Sequence, residues 1–160
     1  MQTAQSVHHQ ERTSRSHKRS YKGAGRVNSD FFAFGQPILA PADGKVVQVV
    51  DGVPDNTPGA VDVYFRLGNM VVLDLGRGEY AYLCHLQQGS PSVRVGERVR
   101  RGQVVARCGN SGNSTEPHLH FQLADGPQIT PWFTGTLLLI IVYYLGGRAM
   151  LVDAASPLCD

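Results

Sequence analysis

Between Gly109 and Leu123 the chain concentrates residue types that do chemistry. The turn-rich run Gly109-Asn110-Ser111-Gly112-Asn113-Ser114-Thr115-Glu116-Pro117 feeds His118-Leu119-His120-Phe121-Gln122-Leu123, where polar and apolar side chains alternate. Alternation is the mark of a half-buried strand, so His118 and His120 should share one face while Leu119, Phe121 and Leu123 turn to the core. Two neighbouring imidazoles can serve one reacting centre. One binds a metal through its neutral nitrogen while the other moves a proton or stabilises charge. His85 closes the run Tyr82-Leu83-Cys84-His85 and would face the same groove if its strand lies beside 118–123. Three histidines from two strands around a glycine-rich rim suit a metal or phosphoryl site. The competing reading is an edge strand with surface histidines and a structural His85. Cys84, next in sequence to His85, should face away from it if the strand is regular, which disfavours a Cys/His nucleophile. Gly109-Asn110-Ser111-Gly112-Asn113 misses the Gly-x-Ser-x-Gly elbow of serine hydrolases at its last position.

The elements that would position these groups read as β structure throughout. Lys45–Val50 is a Val-rich strand entered through the Asp43-Gly44 turn. Residues 51–59 form a loop dense in Asp, Asn, Pro and Gly. Val61–Phe65, Asn69–Leu75 and Tyr80–Leu86 are expected strands, followed by Val93–Val95 and Gln103–Arg107 around a hairpin with glycines at 96 and 102. No apolar pattern near period 3.6 persists between 36 and 125, so the fold class is all-β. The hairpin resembles those of biotinyl and lipoyl carriers. Lys45 is the only lysine after position 22, however, and it lies inside a strand rather than at a tip.

At 160 residues, 42% of them hydrophobic and 18% charged, the chain has the size and composition of one globular domain. Three cysteines without a Cys-x-x-Cys pair exclude a disulfide scaffold and a thiolate zinc knuckle. Cys84 and Cys108 are expected as buried thiols, and Cys159 as exposed. The net charge of +2 is too small to imply nucleic acid, and none is expected as a partner. Residues 1–30 carry a balance of +4 and residues 31–160 one of −2. The first 30 residues, with His8, His9 and His17 and few apolar side chains, read as a basic, poorly ordered tail without a visible signal peptide. Residues 127–160 form an apolar C-terminal segment. Its run at 132–152 suits a hairpin of 137–145 with 148–152, or else a membrane attachment.

Residues 109–123 resemble the loop and strand of lysostaphin/LytM-type zinc metallopeptidases, which run Gly-x-Thr/Ser-Gly-x-Ser-x-x-Pro-His-Leu-His-Phe. The likeness extends through Gly96–Gln103, His85-Leu86, Asn69–Asp74 and Pro41–Val47, in the same order. It implies a small β-sandwich of the barrel-sandwich or duplicated-hybrid type over residues 31–126. It also implies a zinc-dependent endopeptidase that cuts bacterial peptidoglycan peptides with one zinc, in the cell envelope or outside the cell, expected as a monomer. By the resemblance His120 is a zinc ligand, and His118 assists the activated water or the tetrahedral intermediate. His85 stabilises the oxyanion.

The family's other ligands, a His and an Asp, precede the Pro-x-x-Ala-x-x-Asp-Gly strand. In one register Asp30 takes the Asp position, but Arg26 stands four residues before it, where the His would be. In the other register His8, His9 or His17 would serve, but no Asp lies between Met1 and Ser29. Three protein ligands are the usual minimum for catalytic zinc. An inactive relative that binds peptidoglycan or regulates a cell-wall hydrolase is therefore the alternative. A phosphohistidine carrier with a similar sandwich is a more distant one.

Overall fold

The computed structural model describes residues 19–127, together with the backbone of residues 136–145 and 148–153. His8, His9, His17 and Cys159 lie outside the described residues. Nine strands follow in order: β1 (Pro37–Leu39), β2 (Gly44–Val50), β3 (Asn69–Gly76), β4 (Glu79–Leu86), β5 (Arg98–Val99), β6 (Val104–Arg107), β7 (Leu119–Ala124), β8 (Thr136–Leu145) and β9 (Arg148–Asp153). The only helical turn among the described residues is a 3-10 turn at Asn28–Asp30. The all-β expectation therefore holds.

The strands form two antiparallel sheets. The larger has the order β5-β2-β3-β4-β7-β8-β9, and β1 pairs with β6 in the smaller. Alternation along the strands gives the large sheet two distinct apolar faces. On one, Val46, Val71, Leu73, Ala81 and Leu83 pack against Ile38 from β1 and Val105 and Ala106 from β6, so the two-stranded sheet covers that face. Leu119, Phe121 and Leu123 pack against the same cluster from β7. The other face gathers Met70, Val72, Tyr82, Cys84 and Ala124. The backbones of β8 and β9 extend the sheet beyond β7, with Leu145 opposite Arg148.

Three details differ from the sequence reading. Val61–Phe65 is not a strand. Its backbone bonds run to the glycine-rich loop and within its own turn instead of a ladder, with Asp62 N–H donating to Gly112 O and Gly68 N–H to Phe65 O. Its apolar alternation is met by exposure rather than by a core. Val93–Val95 is likewise no strand, because Ser92 N–H pairs with Val105 O and Gly96 N–H with Val46 O, which leaves no continuous ladder between them. From Arg19 onward the basic segment is folded back on the domain. Phe32 N–H donates to Ser20 O, Lys22 N–H donates to Asp30 O, and the Tyr21 and Phe31 rings meet at 5.3 Å. Among the described residues no helix is long and apolar enough to cross a membrane.

Candidate active site

The three histidines predicted from the sequence come together. The ring of His85 lies 4.8 Å, centroid to centroid, from that of His118 and 5.6 Å from that of His120. His120 gets there by alternation, standing on β7 opposite Cys84 of β4, on the face away from Leu119 and Phe121. His118 immediately precedes β7.

His85 arrives by breaking alternation. Where β3 offers Met70 alone between Asn69 and Val71, β4 offers both Cys84 and His85, which is a β-bulge. His85 takes φ +59°, a left-handed conformation unusual for a residue with a side chain. Leu83 and Leu86, three residues apart, can then share one core cluster, while the His85 ring turns to His118 and His120. The expectation that Cys84 and His85 face opposite sides rested on a regular strand and fails here for that reason. Cys84 is nevertheless no nucleophile, because complete burial pushes its thiol far above the ordinary range. The same effect pushes Cys108 up to about 12, with Asp55 adding to it.

Loop carbonyls fix the orientation of two rings. His85 Nδ1 lies 2.8 Å from Ser111 O and His118 Nδ1 lies 2.8 Å from Glu116 O. A carbonyl only accepts, so both Nδ1 atoms carry the proton and both Nε2 atoms carry the lone pair. His120 has the opposite tautomer if its Nε2 donates to Gln122 Oε1 at 3.3 Å, which makes Nδ1 its ligating nitrogen. All three are held neutral. Burial lowers His85 well below the ordinary histidine range, and His118 and His120 lower it further, against an opposing effect of Ser111 O. Burial likewise lowers His118 to about 4, and burial also lowers His120. Glu116 is pushed up by burial, with Ser20 Oγ donating to its Oε2 at 3.1 Å.

Sequence reasoning did not anticipate the frame around these rings. The Asn69 side chain is fully buried and clips the 51–59 loop to the bulge. It accepts from Val53 N–H, donates to Val53 O at 2.8 Å, and donates to Leu86 O at 3.0 Å. Ser111 Oγ donates to Leu86 O and accepts from Asn69 N–H. Ser114 Oγ donates to Glu116 O, the carbonyl that also receives His118 Nδ1–H. The one available signal was the three-residue spacing of Leu83 and Leu86, which a regular strand cannot place on one face.

Comparison with known proteins supplies the family. Residues 28–131 match Peptidase family M23, and the chain belongs to that family. It is 34% identical over 102 residues to a glycyl-glycine endopeptidase of Staphylococcus capitis, covering 62% of this chain and 25% of that protein. It is 33% identical over 110 residues to a peptidoglycan DD-endopeptidase of Vibrio cholerae, covering 68% of this chain and 22% of that protein. The chain thus spans about a quarter of the length of these curated relatives. Among solved structures, the catalytic domain of lysostaphin from Staphylococcus simulans aligns with a TM-score of 0.47 and 24% identity, over 74% of this chain and 84% of that one.

Zinc fits this site poorly on the described residues alone. No three His, Cys, Asp or Glu among them are grouped so as to hold a metal ion. Asp30 is not brought to His120 in any such group. Its carboxylate accepts Arg26 N–H at 3.0 Å in an exposed turn.

Proposed function

We propose that this chain is an endopeptidase for peptide bonds of bacterial peptidoglycan, working as a monomer in the cell envelope or outside the cell. The supporting observation is the pair His85 and His118, buried, adjacent, and each locked by a backbone carbonyl with Nε2 as acceptor. A neutral imidazole with a fixed lone pair takes a proton from an attacking water. The protonated ring then donates a hydrogen bond to an oxygen that gains negative charge. Charge on one ring disfavours charge on the other, so the two divide these roles. The resemblance assigns His118 to the water and His85 to the oxyanion. The left-handed backbone of His85 costs about 1 kcal/mol. The bulge that carries this strain brings Leu83 and Leu86 into one core cluster and turns the His85 ring toward His118 and His120.

A second reading has its own observation. By the resemblance His120 is the metal ligand of the three histidines, and no carboxylate groups with it to hold a metal ion among the described residues. A domain of this kind would bind peptidoglycan peptides, or regulate a hydrolase, without cutting. Zinc content separates the two readings. The endopeptidase should retain about one zinc per chain, lost in His120→Ala, with the further donors sought among His8, His9 and His17. A purified chain that retains no zinc and has no hydrolytic activity when zinc is supplied is the binding module.

A further inference from the structure

The loop between the 51–59 turn and β3 gathers four exposed large apolar side chains, Val61, Val63, Tyr64 and Phe65, within five residues. Tyr64 is 92% exposed, Val63 and Phe65 are each 59% exposed, and Arg66 beside them is also exposed. Such a group normally folds inward or lies on a mobile tip. Here it is pinned. Asp62 Oδ1 accepts both Tyr64 N–H at 2.9 Å and Phe65 N–H at 3.3 Å, which sets the turn that lifts the rings. Asp62 N–H donates to Gly112 O, Asn113 N–H to Arg66 O, and Gly68 N–H to Phe65 O. Gly68 and Gly112, both at positive φ, let the two loops touch, since a Cβ on Gly112 would run into Phe65 O and one on Gly68 into Ser111 O. The same loop then binds the candidate catalytic group, because Leu67 O accepts His85 N–H at 3.0 Å.

We propose that Tyr64, Phe65 and Arg66 form a recognition rim that grips the ligand peptide beyond the bond presented to the histidines. The inference rests on reading the groove as a peptide site and adds to it where the flanking residues are held. Phe65 is two residues from Leu67, so at most about 7 Å of backbone separates it from the residue bonded to His85. An extended peptide rises about 3.3 Å per residue, which places the rim two to four residues from the scissile bond. Rigid aromatic faces give contact area at little entropic cost. Asp62 turns Oδ1 back onto the turn's own N–H groups, whereas the Arg66 side chain is exposed and offers its guanidinium to a ligand. That combination suits a peptide with a free carboxylate, and the loop is joined to the histidine site through the Leu67 O–His85 N–H bond.

The test is calorimetric titration of the full chain with a purified cross-linked muropeptide dimer. The peptide-free disaccharide and the sugar-free cross-linked peptide are titrated in parallel. The double variant Tyr64→Ser/Phe65→Ser should weaken binding of the dimer and of the free peptide at least tenfold, with an unchanged melting temperature because neither ring enters the core. Arg66→Gln should weaken binding several-fold and flatten its salt dependence. Binding by the double variant within twofold of the wild type overturns the rim. So does binding of the disaccharide in place of the peptide. Binding without cleavage by the wild type, with the double variant impaired, leaves the rim standing and removes only the hydrolytic reading. A wild type that binds neither dimer nor peptide removes both.

Discussion

His85, His118 and His120 are three bases held uncharged by burial, and this gives the molecule an acid-labile centre. For each, the folded pKa lies below the unfolded value of about 6.5. As pH falls below about 6.5 the unfolded chain takes up protons that the folded chain refuses, so stability is complete above that value and is lost toward pH 4. For His118, lowered to about 4, the loss across this window is on the order of 2–3 kcal/mol. Thermal melts of the chelator-treated chain should therefore fall steadily from pH 7 to pH 4.5, and a His118→Leu variant should fall less. A flat profile in the wild type would show that the rings are not held neutral by the fold. At the same scale, His85→Ala and His118→Ala should each lower peptidoglycan hydrolysis by about 10²–10⁴-fold, the range of general acid–base contributions, and equal turnover by either variant would remove that ring from the chemistry.

At the scale of elements, β4 is organised by its bulge and the 51–59 loop by a buried asparagine. Asn69 satisfies Val53 N–H, Val53 O and Leu86 O at once. Asn69→Ala should cost about 2–4 kcal/mol in denaturant melts, because it strands Val53 N–H and Val53 O while Leu86 O keeps its bond from Ser111 Oγ, and a loss under 1 kcal/mol would mean that water replaces the side chain. Gly112→Ala should cost at least about 2 kcal/mol, since its φ is +77° and the new methyl would meet Phe65 O. A neutral result would mean that the two loops separate freely.

Much of this level was legible in the sequence. β2, β3, β4 and β7 follow from Val-rich or alternating runs, and the shared face of His118 and His120 follows from period two. What could not be read is where alternation yields to tertiary demands. The His85 bulge depends on pairing with β3, which no local pattern displays. Val61–Phe65 has a strand's alternation but no neighbouring strand, and the closeness of Gly68 to Gly112 needs both loops in place. Asn69 looks like an ordinary strand residue until Val53 and Leu86 are seen around it.

For the whole molecule, family and fold agree with the spacing of the motifs along residues 28–131. The sandwich places its small sheet on one face of the large one and leaves the histidines on the other, framed by loops 51–68 and 109–117. Charge gives no comparable guide, because half of the +4 balance of the first 30 residues lies before Arg19, outside the described part of the chain. The zinc question also belongs to this scale. Among the described residues no three His, Cys, Asp or Glu side chains group to hold a metal ion, and Asp30 Oδ2 accepts Arg26 N–H. The most direct test is incubation of the purified full chain, with zinc supplied, on a cross-linked muropeptide dimer, with mass spectrometry of the products. The wild type should release monomers with new amine and carboxylate termini, and His118→Ala should not. An intact dimer after prolonged incubation, with binding retained, would contradict the endopeptidase account and leave the groove as a peptide-binding site.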